Sequence, residues 1–436
     1  MDMKELFIKI ISSFHTTELP EIIPRDVSIP VDSGAVIAVI GARRSGKTYV
    51  ILDIIKKLIK SGISKKYIIY INFEDERLEY IRSADLDNIL QAYQQIYPKN
   101  KMSDTYFFLD EIQNVKGWEK FVRRIHESVS KKIFITGSNS KFLGSEIATE
   151  LGGRSLPYEV YPLSFKEYLL FKNIPYNRNS IYSSSERAMI NNAFEEYLLF
   201  GGFPEVVMRR EIEKIATLQN YFNVMITTDL IRRYNLESDS IIRFFVKQII
   251  NSNAKEFSIN KIYYSFRSVG YKIGNNTLYN YLDYVKAIYL VFVLNKYETN
   301  LRLKEQGSKK IYSIDSGLYN AVNINEFDDK SKLLENVIFL HLFVKYNKEV
   351  SFYKDEYSEC DFILSKNNKV QKAIQVSYSI VKEDTRKREI TGLVRACKAL
   401  KLSNGTIITY GTDESSVESE GITIDIVSAP KYLLLS

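Results

Sequence analysis

The first third of the chain alternates short apolar runs with amphipathic stretches, a pattern that predicts strands and helices in turn. Unbroken apolar runs of four to eight residues are typical of strands buried on both faces of a parallel sheet. Residues 47–61, by contrast, place their apolar side chains at helical spacing. We therefore predict a parallel α/β sheet with helices on both faces for residues 1–157. Its strands are expected at Ala35–Ile40, Tyr67–Phe73, Thr105–Leu109 and Lys132–Thr136.

Beyond about Tyr158 the pattern becomes that of helices alone, as far as about Asn251. Two short helical stretches then flank Gly270–Asn276, and strands are predicted at Tyr289–Tyr297 and Lys310–Ile314. Helix, turn, helix and a two-stranded ribbon is the order of a winged helix. The rest of the chain returns to mixed strands and helices. We predict a multidomain α/β protein divided into residues 1–157, 158–240, 241–320 and 321–436.

A glycine-rich run lies directly after the first predicted strand and at the start of the first long helix. Residues 41–48 fit the phosphate-loop pattern G-x-x-x-x-G-K-[ST]. Glycines let backbone N–H groups face phosphate oxygens, and the helix N-terminus adds a partial positive charge. Lys47 is expected to reach the β- and γ-phosphates of ATP, and Thr48 to offer its hydroxyl to Mg²⁺. The predicted nucleotide-binding residues are Gly41, Ala42, Arg43, Arg44, Ser45, Gly46, Lys47, Thr48 and Tyr49, where Arg43 and Arg44 either touch phosphate or face solvent.

Two acidic residues, Asp110 and Glu111, end the third apolar run. A buried strand delivers such residues to the carboxyl edge of an α/β sheet, where ligands bind. Asp110 is expected to hold Mg²⁺ through its hydration shell, and Glu111 to orient the attacking water as a general base. The pair alone would equally suit an acidic helix cap; the phosphate loop upstream favours the catalytic interpretation.

Three further polar residues are candidates for this site. Ser138 and Asn139 follow the fourth predicted strand, so that one of them would sense the γ-phosphate, unless the turn itself requires these residue types. Arg154 would neutralise charge on the transferred phosphoryl group, within one chain or from a neighbouring subunit; an ordinary surface arginine is the alternative.

Taken in order, these segments resemble the prokaryotic, chiefly archaeal, AAA-type ATPases of the P-loop superfamily. The segments that carry the resemblance are GARRSGKTY, YINFEDERL, FFLDEIQNVKGWE, ITGSNSKFL, LGGRSLPYEVYPLSFKEYL and FGGFPEVV, with later agreement at KKIYSIDSGLYN, ECDFIL, AIQVSYSI and TRKREI. The resemblance covers nearly the whole chain and is looser after about Ser240. It implies an ATPase core followed by a helical lid, a winged helix and a domain similar to restriction endonucleases, with Lys47, Thr48, Asp110 and Glu111 in the roles given above.

The implied endonuclease-like domain has an altered set of site residues. The fold of such nucleases uses a helix glutamate, a strand aspartate and an acid-x-lysine on the next strand, with the acids holding Mg²⁺. Glu335 and Asp361 match in kind and order, whereas Gln375 and Ser377 stand where the second acid and the lysine are expected. Lys354 or Lys372 would have to replace the lysine. We therefore expect a retained fold without nuclease activity; ordinary surface acids at 335 and 361 are the alternative.

Composition narrows the remaining classes of function. Two cysteines and three isolated histidines argue against a disulfide framework and a histidine zinc site. The start of the chain has the pattern of an amphipathic helix rather than a signal peptide, and no apolar run is long enough to cross a membrane, so a cytoplasmic location is expected. A net charge of +7 permits DNA as a partner without requiring it.

Three hypotheses follow for the function of an ATPase that binds ATP or ADP with Mg²⁺. The first is an ATPase that changes conformation on nucleic acid, and the second is an ATP-dependent switch that binds protein partners. The third is an ATP-regulated, metal-dependent nuclease. The predicted second helix of the winged helix, about Asn275–Lys286, carries only one basic residue, which disfavours DNA reading. The sequence leaves open whether the chain forms a homo-oligomer.

Overall fold

The computed structural model describes residues 2–140, 151–177, 183–323, 330–367, 369–411 and 415–436. The chain forms two compact units, Met1–Tyr161 and Pro162–Ser436. Each unit has its own sheet and its own core. The finer division of residues 158–436 into three domains stays a prediction.

The amino-terminal unit is built on a five-stranded parallel sheet with the order β2-β3-β4-β1-β5. Four strands lie within one residue of the predicted runs. The fifth was not predicted, because it is a partly exposed edge strand that contains Pro157, a residue tolerated only where one ladder bond is dispensable. The strands are β1 (Val36–Ile40), β2 (Ile68–Asn72), β3 (Tyr106–Asp110), β4 (Ile133–Gly137) and β5 (Ser155–Glu159).

Helices cover both faces of this sheet, as the apolar runs predict. Alternate side chains of β1 point to opposite faces. Val36, Ala38 and Ile40 join the core under three of the helices, whereas Ile37 and Val39 pack against the fourth, which follows the phosphate loop. The helices are α1 (Met3–Thr16), α2 (Lys47–Lys60), α3 (Asn88–Ile96) and α4 (Trp118–Ser128). No helix among the described residues is long and apolar enough to span a membrane.

The second unit begins with helices, in agreement with the sequence pattern. A π-helix, Met225–Arg232, extends the last of them without a break. The helices of this stretch are α5 (Phe165–Phe171), α6 (Ser184–Phe200), α7 (Pro204–Met208), α8 (Glu211–Val224) and α9 (Asp239–Asn251).

A three-stranded antiparallel sheet with helices follows. Its order is β6-β8-β7, so the last strand lies in the middle. The first strand was not predicted, because it is only three residues long and mostly exposed. The elements are β6 (Lys255–Phe257), α10 (Ile259–Ser268), α11 (Asn275–Ala287), β7 (Val291–Asn295), α12 (Leu301–Gln306), β8 (Lys309–Ser313) and α13 (Ser316–Val322).

The carboxyl-terminal residues form a mixed six-stranded sheet with the order β13-β14-β12-β11-β10-β9. β9, β10 and β11 form an antiparallel meander. β12 pairs in parallel with β11, and β14 pairs in parallel with β12. The polar edge strand β13 was missed. The elements are α14 (Lys330–Lys345), β9 (Val350–Lys354), β10 (Glu359–Lys366), β11 (Lys369–Ser377), α15 (Glu383–Ala399), β12 (Asn404–Thr409), β13 (Ser415–Ser419), β14 (Ile422–Ser428) and α16 (Ala429–Leu435).

Inside the second unit, the glycine pair after α6 packs against the start of α13. The buried carboxylate of Asp315 accepts hydrogen bonds from the N–H of Gly202 at 2.7 Å and from that of Leu318 at 3.0 Å. A Cβ atom at Gly317 would lie 2.1 Å from the carbonyl group of Phe200. The two segments therefore approach too closely for any side chain at this position.

We predict that Gly317→Ala lowers the free energy of unfolding by about 1–3 kcal/mol, because the added methyl group meets backbone that cannot yield. Helix propensity alone would give the opposite sign, since alanine is favoured over glycine by about 1 kcal/mol within a helix. Denaturant unfolding measures the difference. Gly411→Ala is the matched control, because a Cβ atom there meets nothing within 4 Å; equal stability of the two variants would contradict the prediction.

Candidate phosphate-binding site

The loop between β1 and α2 has a backbone that only glycine allows at two points. Gly41 has φ +155° and Gly46 has φ +99°. A Cβ atom at Gly41 would lie 2.1 Å from the carbonyl oxygen of Val160. Gly46 is the residue before α2, so the loop turns its backbone directly into the N-terminus of that helix. This is the concave, amide-lined geometry that binds phosphate.

Two side chains of the loop point into this concavity. Lys47 is almost fully buried, with its Nζ 3.1 Å from the carbonyl oxygen of Ala42 and 3.1 Å from Oε1 of Glu111. The hydroxyl of Ser45 is also buried and has no hydrogen-bond partner among the described residues. A buried lysine and an unsatisfied hydroxyl are donors for which phosphate oxygens are suitable acceptors.

Asp110, at the end of β3, is completely buried and held by hydroxyl groups. Tyr70 donates to its Oδ2 at 3.0 Å, Thr136 donates to its Oδ1, and the Thr48 hydroxyl also hydrogen-bonds to it. Burial raises the pKa of Asp110, although these hydrogen bonds oppose the shift. The structure thus joins the loop hydroxyl and the strand carboxylate that were predicted to share a magnesium ion.

Glu111 follows in the left-handed backbone region, with φ +52°, so its side chain turns back towards the loop. Its N–H donates to Oγ1 of Thr136 at 2.7 Å. Burial disfavours its ionised form, but Lys47 and the donated hydrogen bond of Gln113 together lower the pKa of Glu111. A carboxylate kept ionised at this position can accept a proton.

The residues around this centre fit a nucleotide with a magnesium ion. Mg²⁺ prefers hydroxyl, carboxylate and water oxygens, and Thr48 and Asp110 supply the first two. Among the described residues, no group of three or more His, Cys, Asp and Glu side chains is arranged to hold a metal by itself.

The other predicted nucleotide-binding residues lie around the loop. Ser138 and Asn139 are buried after β4, and Ser138 Oγ lies 3.5 Å from Nε2 of Gln113, the residue that holds Glu111. Arg43 pairs with Glu74 at 2.8 Å, and Arg44 adopts a left-handed backbone with φ +65°. Tyr49 is exposed at the start of α2.

The structure does not bring Arg154 to this centre of its own chain. It lies just before β5, where its carbonyl accepts from Val36 N–H at the amino edge of the sheet, whereas the phosphate loop follows the carboxyl edge. Its guanidinium pairs with Glu127 at 3.0 Å. A five-residue strand spans about 16 Å, which is more than an arginine side chain reaches. The expectation that Arg154 neutralises phosphate within one chain is therefore corrected.

Three of the four residues predicted for an endonuclease-like site, Glu335, Asp361 and Gln375, lie close together in the second unit. Glu335 and Asp361 both contact Lys310, at 3.3 and 3.1 Å, and Gln375 Oε1 accepts from Asp361 N–H at 3.3 Å. Ser377 donates its hydroxyl to the carbonyl of Ser379. Sequence reasoning considered Lys354 or Lys372 as the missing lysine; the lysine that reaches Asp361 is Lys310.

At least four residues of the phosphate site were missed by the sequence analysis, and one of them is Gln113, which donates a hydrogen bond to Glu111. Tyr70 and Thr136 hold Asp110, and Arg25, in the segment before β1, donates to the carbonyl oxygens of Ser45 and Tyr161, both at 2.8 Å. Thr136 is a polar residue at the end of the fourth apolar run, and this position could have identified it as a site residue from the sequence alone. Nothing in the local sequence marks Arg25.

Comparison with protein families gives three adjacent matches. A family described as an AAA domain matches residues 33–169. Two families described as domains of unknown function match residues 191–329 and 330–432.

Three similar chains are each described as an uncharacterized protein. The protein MJ1544 of Methanocaldococcus jannaschii is 37% identical over 100% of this chain and 96% of its own length. A protein of Haemophilus influenzae is 29% identical over 80% of this chain and 84% of its own. The protein MJ1637 of Methanocaldococcus jannaschii is 24% identical over 90% of this chain and 84% of its own.

Among solved structures, two from archaea are similar only at low scores. Cdc6p from Pyrobaculum aerophilum is 12% identical at a TM-score of 0.27, covering 77% of this chain and 94% of that one. The Orc1 protein of Aeropyrum pernix, in complex with DNA, has the same identity and TM-score, covering 74% and 92%. TM-scores of 0.27 do not support a conclusion about the fold or the function of this chain.

We predict that Thr136→Val lowers the free energy of unfolding by about 1–3 kcal/mol, because buried Asp110 loses a donor and the Glu111 N–H loses its acceptor. Thr136→Ser keeps the hydroxyl and is the matched control. Thermal or denaturant unfolding of both variants provides the comparison. If serine destabilises as much as valine, the effect comes from packing and not from the two hydrogen bonds.

Proposed function

We infer that this chain, which belongs to the family of the Methanocaldococcus jannaschii protein MJ1544 and carries an AAA domain, binds ATP with Mg²⁺ and hydrolyses it. The observation that carries the proposal is the buried ion pair of Lys47 with Glu111, beside the hydrogen-bonded pair of Thr48 and Asp110. These are the phosphate-binding lysine, the general base and the two magnesium-binding groups, brought together from a loop and a strand that lie more than sixty residues apart.

Each residue has a separate task in this proposal. Lys47 holds the β- and γ-phosphate oxygens, together with backbone N–H groups of residues 41–48 and the Ser45 hydroxyl. Thr48 and Asp110 hold the magnesium ion, which neutralises charge on the phosphates when bound. Glu111 orients a water molecule for attack on the γ-phosphate and accepts its proton.

The Lys47–Glu111 pair gives the nucleotide a direct effect on the base. The phosphates compete for the same ammonium group that now pairs with Glu111. Once Lys47 turns to phosphate, the carboxylate keeps only the hydrogen bond from Gln113 and can accept one from water. Binding and activation of the base are therefore linked.

We expect steady-state ATP hydrolysis with Mg²⁺ to fall at least about 100-fold in both Lys47→Ala and Glu111→Gln, the range for loss of a phosphate-binding lysine or a general base. Glu111→Gln should retain ATP binding, because the glutamine removes the base and leaves the loop intact. Lys57→Ala is a matched control, since Lys57 lies on the same helix and pairs with Asp53 on its exposed surface. Wild-type protein that neither binds nor hydrolyses ATP would contradict the proposal.

The proposed consequence of hydrolysis is a change of conformation. The order α9, β6, α10, α11, β7, β8, with β8 central in its sheet, supports a winged helix, which we propose for this part of the chain. The helical lid at 158–240 and the endonuclease-like domain at 321–436 remain part of the same proposal. We retain nucleic acid as the first class of partner, on the basis of this winged-helix order.

A specific observation favours the alternative of a protein partner. The exposed face of α11 displays Tyr279 and Asn280, and its basic residue Lys286 is paired with Asp283 at 2.9 Å. That face has little positive charge to offer a phosphate backbone. ATP hydrolysis measured with and without single- and double-stranded DNA separates the two classes. Stimulation that weakens as salt rises supports nucleic acid; indifference to DNA supports a protein-binding switch.

A further inference from the structure

A lysine from the three-stranded sheet is buried among the acids of the carboxyl-terminal sheet. Lys310 lies on β8 and its side chain is only 3% exposed. Its Nζ is 2.7 Å from Oε1 of Glu359, 3.1 Å from Oδ1 of Asp361 and 3.3 Å from Oε1 of Glu335. One ammonium group therefore contacts carboxylates from the strand β10 and the helix α14 together.

Other groups of the chain complete the coordination of these acids. The Tyr312 hydroxyl donates to Oε1 of Glu335 at 2.7 Å, and the N–H of Val376 donates to Oδ2 of Asp361 at 3.0 Å. Lys354 lies 3.4 Å from Oε2 of Glu359. Both oxygens of Asp361 and both oxygens of Glu359 therefore already have partners within the chain, as does Oε1 of Glu335.

The neutral residue in the acid position also faces inward. Gln375 accepts from Asp361 N–H with its Oε1 and donates with its Nε2 to Oε2 of Glu389 at 2.8 Å. Its amide thus links the aspartate to α15 and adds no negative charge. Glutamate in this place would meet Glu389 as a like charge.

The charge of Lys310 is fixed by its surroundings. Three carboxylates lie within 3.3 Å of its Nζ, so an ammonium is favoured there over a neutral amine. An ammonium at the meeting point of several acids satisfies the same electrostatic requirement as a divalent cation would.

We propose that Lys310 is an internal cation that permanently fills the position of a divalent metal ion, so that the carboxyl-terminal sheet carries no metal-dependent cleavage site. A lysine that acts on a water molecule or a phosphate would lie at one side of a metal centre. The Nζ of Lys310, in contrast, contacts acids of both β10 and α14.

Access from solvent is not what prevents metal binding. An open cavity of about 610 Å³ borders Asp361, Gln375 and Glu389 on the α15 side of the sheet. Lys387, Arg388 and Arg395 also line this cavity, so positive charge there opposes a metal ion in addition to the ammonium of Lys310. The same lysine joins β8 to β10 and α14 through these contacts.

The first test uses the nucleotide-free wild-type chain and Asp361→Asn, titrated with Mn²⁺ in a calorimeter. We expect the same number of bound ions in both, because any weak binding at Asp110 is common to the two proteins. We also expect no cleavage of plasmid DNA with Mg²⁺ or Mn²⁺ by the wild-type chain. A Mn²⁺ site present in wild type and lost in Asp361→Asn, or cleavage that Asp361→Asn abolishes, would overturn the proposal.

The second test removes the internal cation. Lys310→Ala should melt about 5–10 °C below wild type, because a buried cluster of acids loses its partner. Millimolar Mn²⁺ should restore part of this loss in Lys310→Ala and nothing in Lys310→Ala combined with Asp361→Asn. Lys309→Ala, on the same strand, is the matched control.

Two outcomes of this second test would count against the proposal. One is a Lys310→Ala chain that melts with the wild type, and the other is a destabilised chain whose melting temperature does not respond to Mn²⁺. If Lys310→Ala does not fold in either condition, the wild-type titration decides. Neither test involves ATP, so failure here is distinct from failure of the proposed hydrolysis.

Discussion

Ionisable groups taken out of water must be satisfied by opposite charges or by hydrogen-bond donors and acceptors, and the amino-terminal unit is organised around this requirement at the carboxyl edge of its sheet. Lys47, Asp110 and Glu111 are all buried there. Isolated charges in such a place would cost several kcal/mol each. The strand order provides these partners, because β4 lies between β1 and β3 and brings Thr136 within hydrogen-bond distance of both Asp110 and Glu111. The hydroxyl of one threonine therefore fixes the groups assigned to metal binding and to proton transfer.

The sequence was sufficient for the parts of this unit that are determined locally. Buried strands are apolar along their whole length, and a phosphate loop requires glycine at positions where other residues would clash, as at Gly41. Both leave a pattern that can be found without the fold. The edge strand β5 leaves no such pattern, since half its surface faces water. Partners such as Tyr70 and Arg25 are set by strand order and by loop closure, which act across long separations in sequence.

The carboxyl-terminal sheet also shows that contacts between residues far apart in sequence are hard to predict. Sequence analysis placed Glu335 and Asp361 in one site, and their side chains do meet around a common neighbour. It looked for a lysine on the adjoining strands, because the nuclease pattern has one there. Lys310 lies 51 residues earlier along the chain than Asp361, in a strand assigned to a different domain. Proximity in space, and not spacing in sequence, defines this cluster.

The contacts of Arg25 bear on where the nucleotide-binding unit begins. The match to the AAA domain starts at residue 33, at the threshold of β1. Yet the guanidinium of Arg25 holds the carbonyl oxygen of Ser45, inside the phosphate loop, and that of Tyr161, just beyond β5. The segment before β1 thus joins the phosphate loop to the residues that follow the edge strand β5. A fragment cut at the family boundary would contain every residue of the phosphate motif and would lack the guanidinium that anchors it.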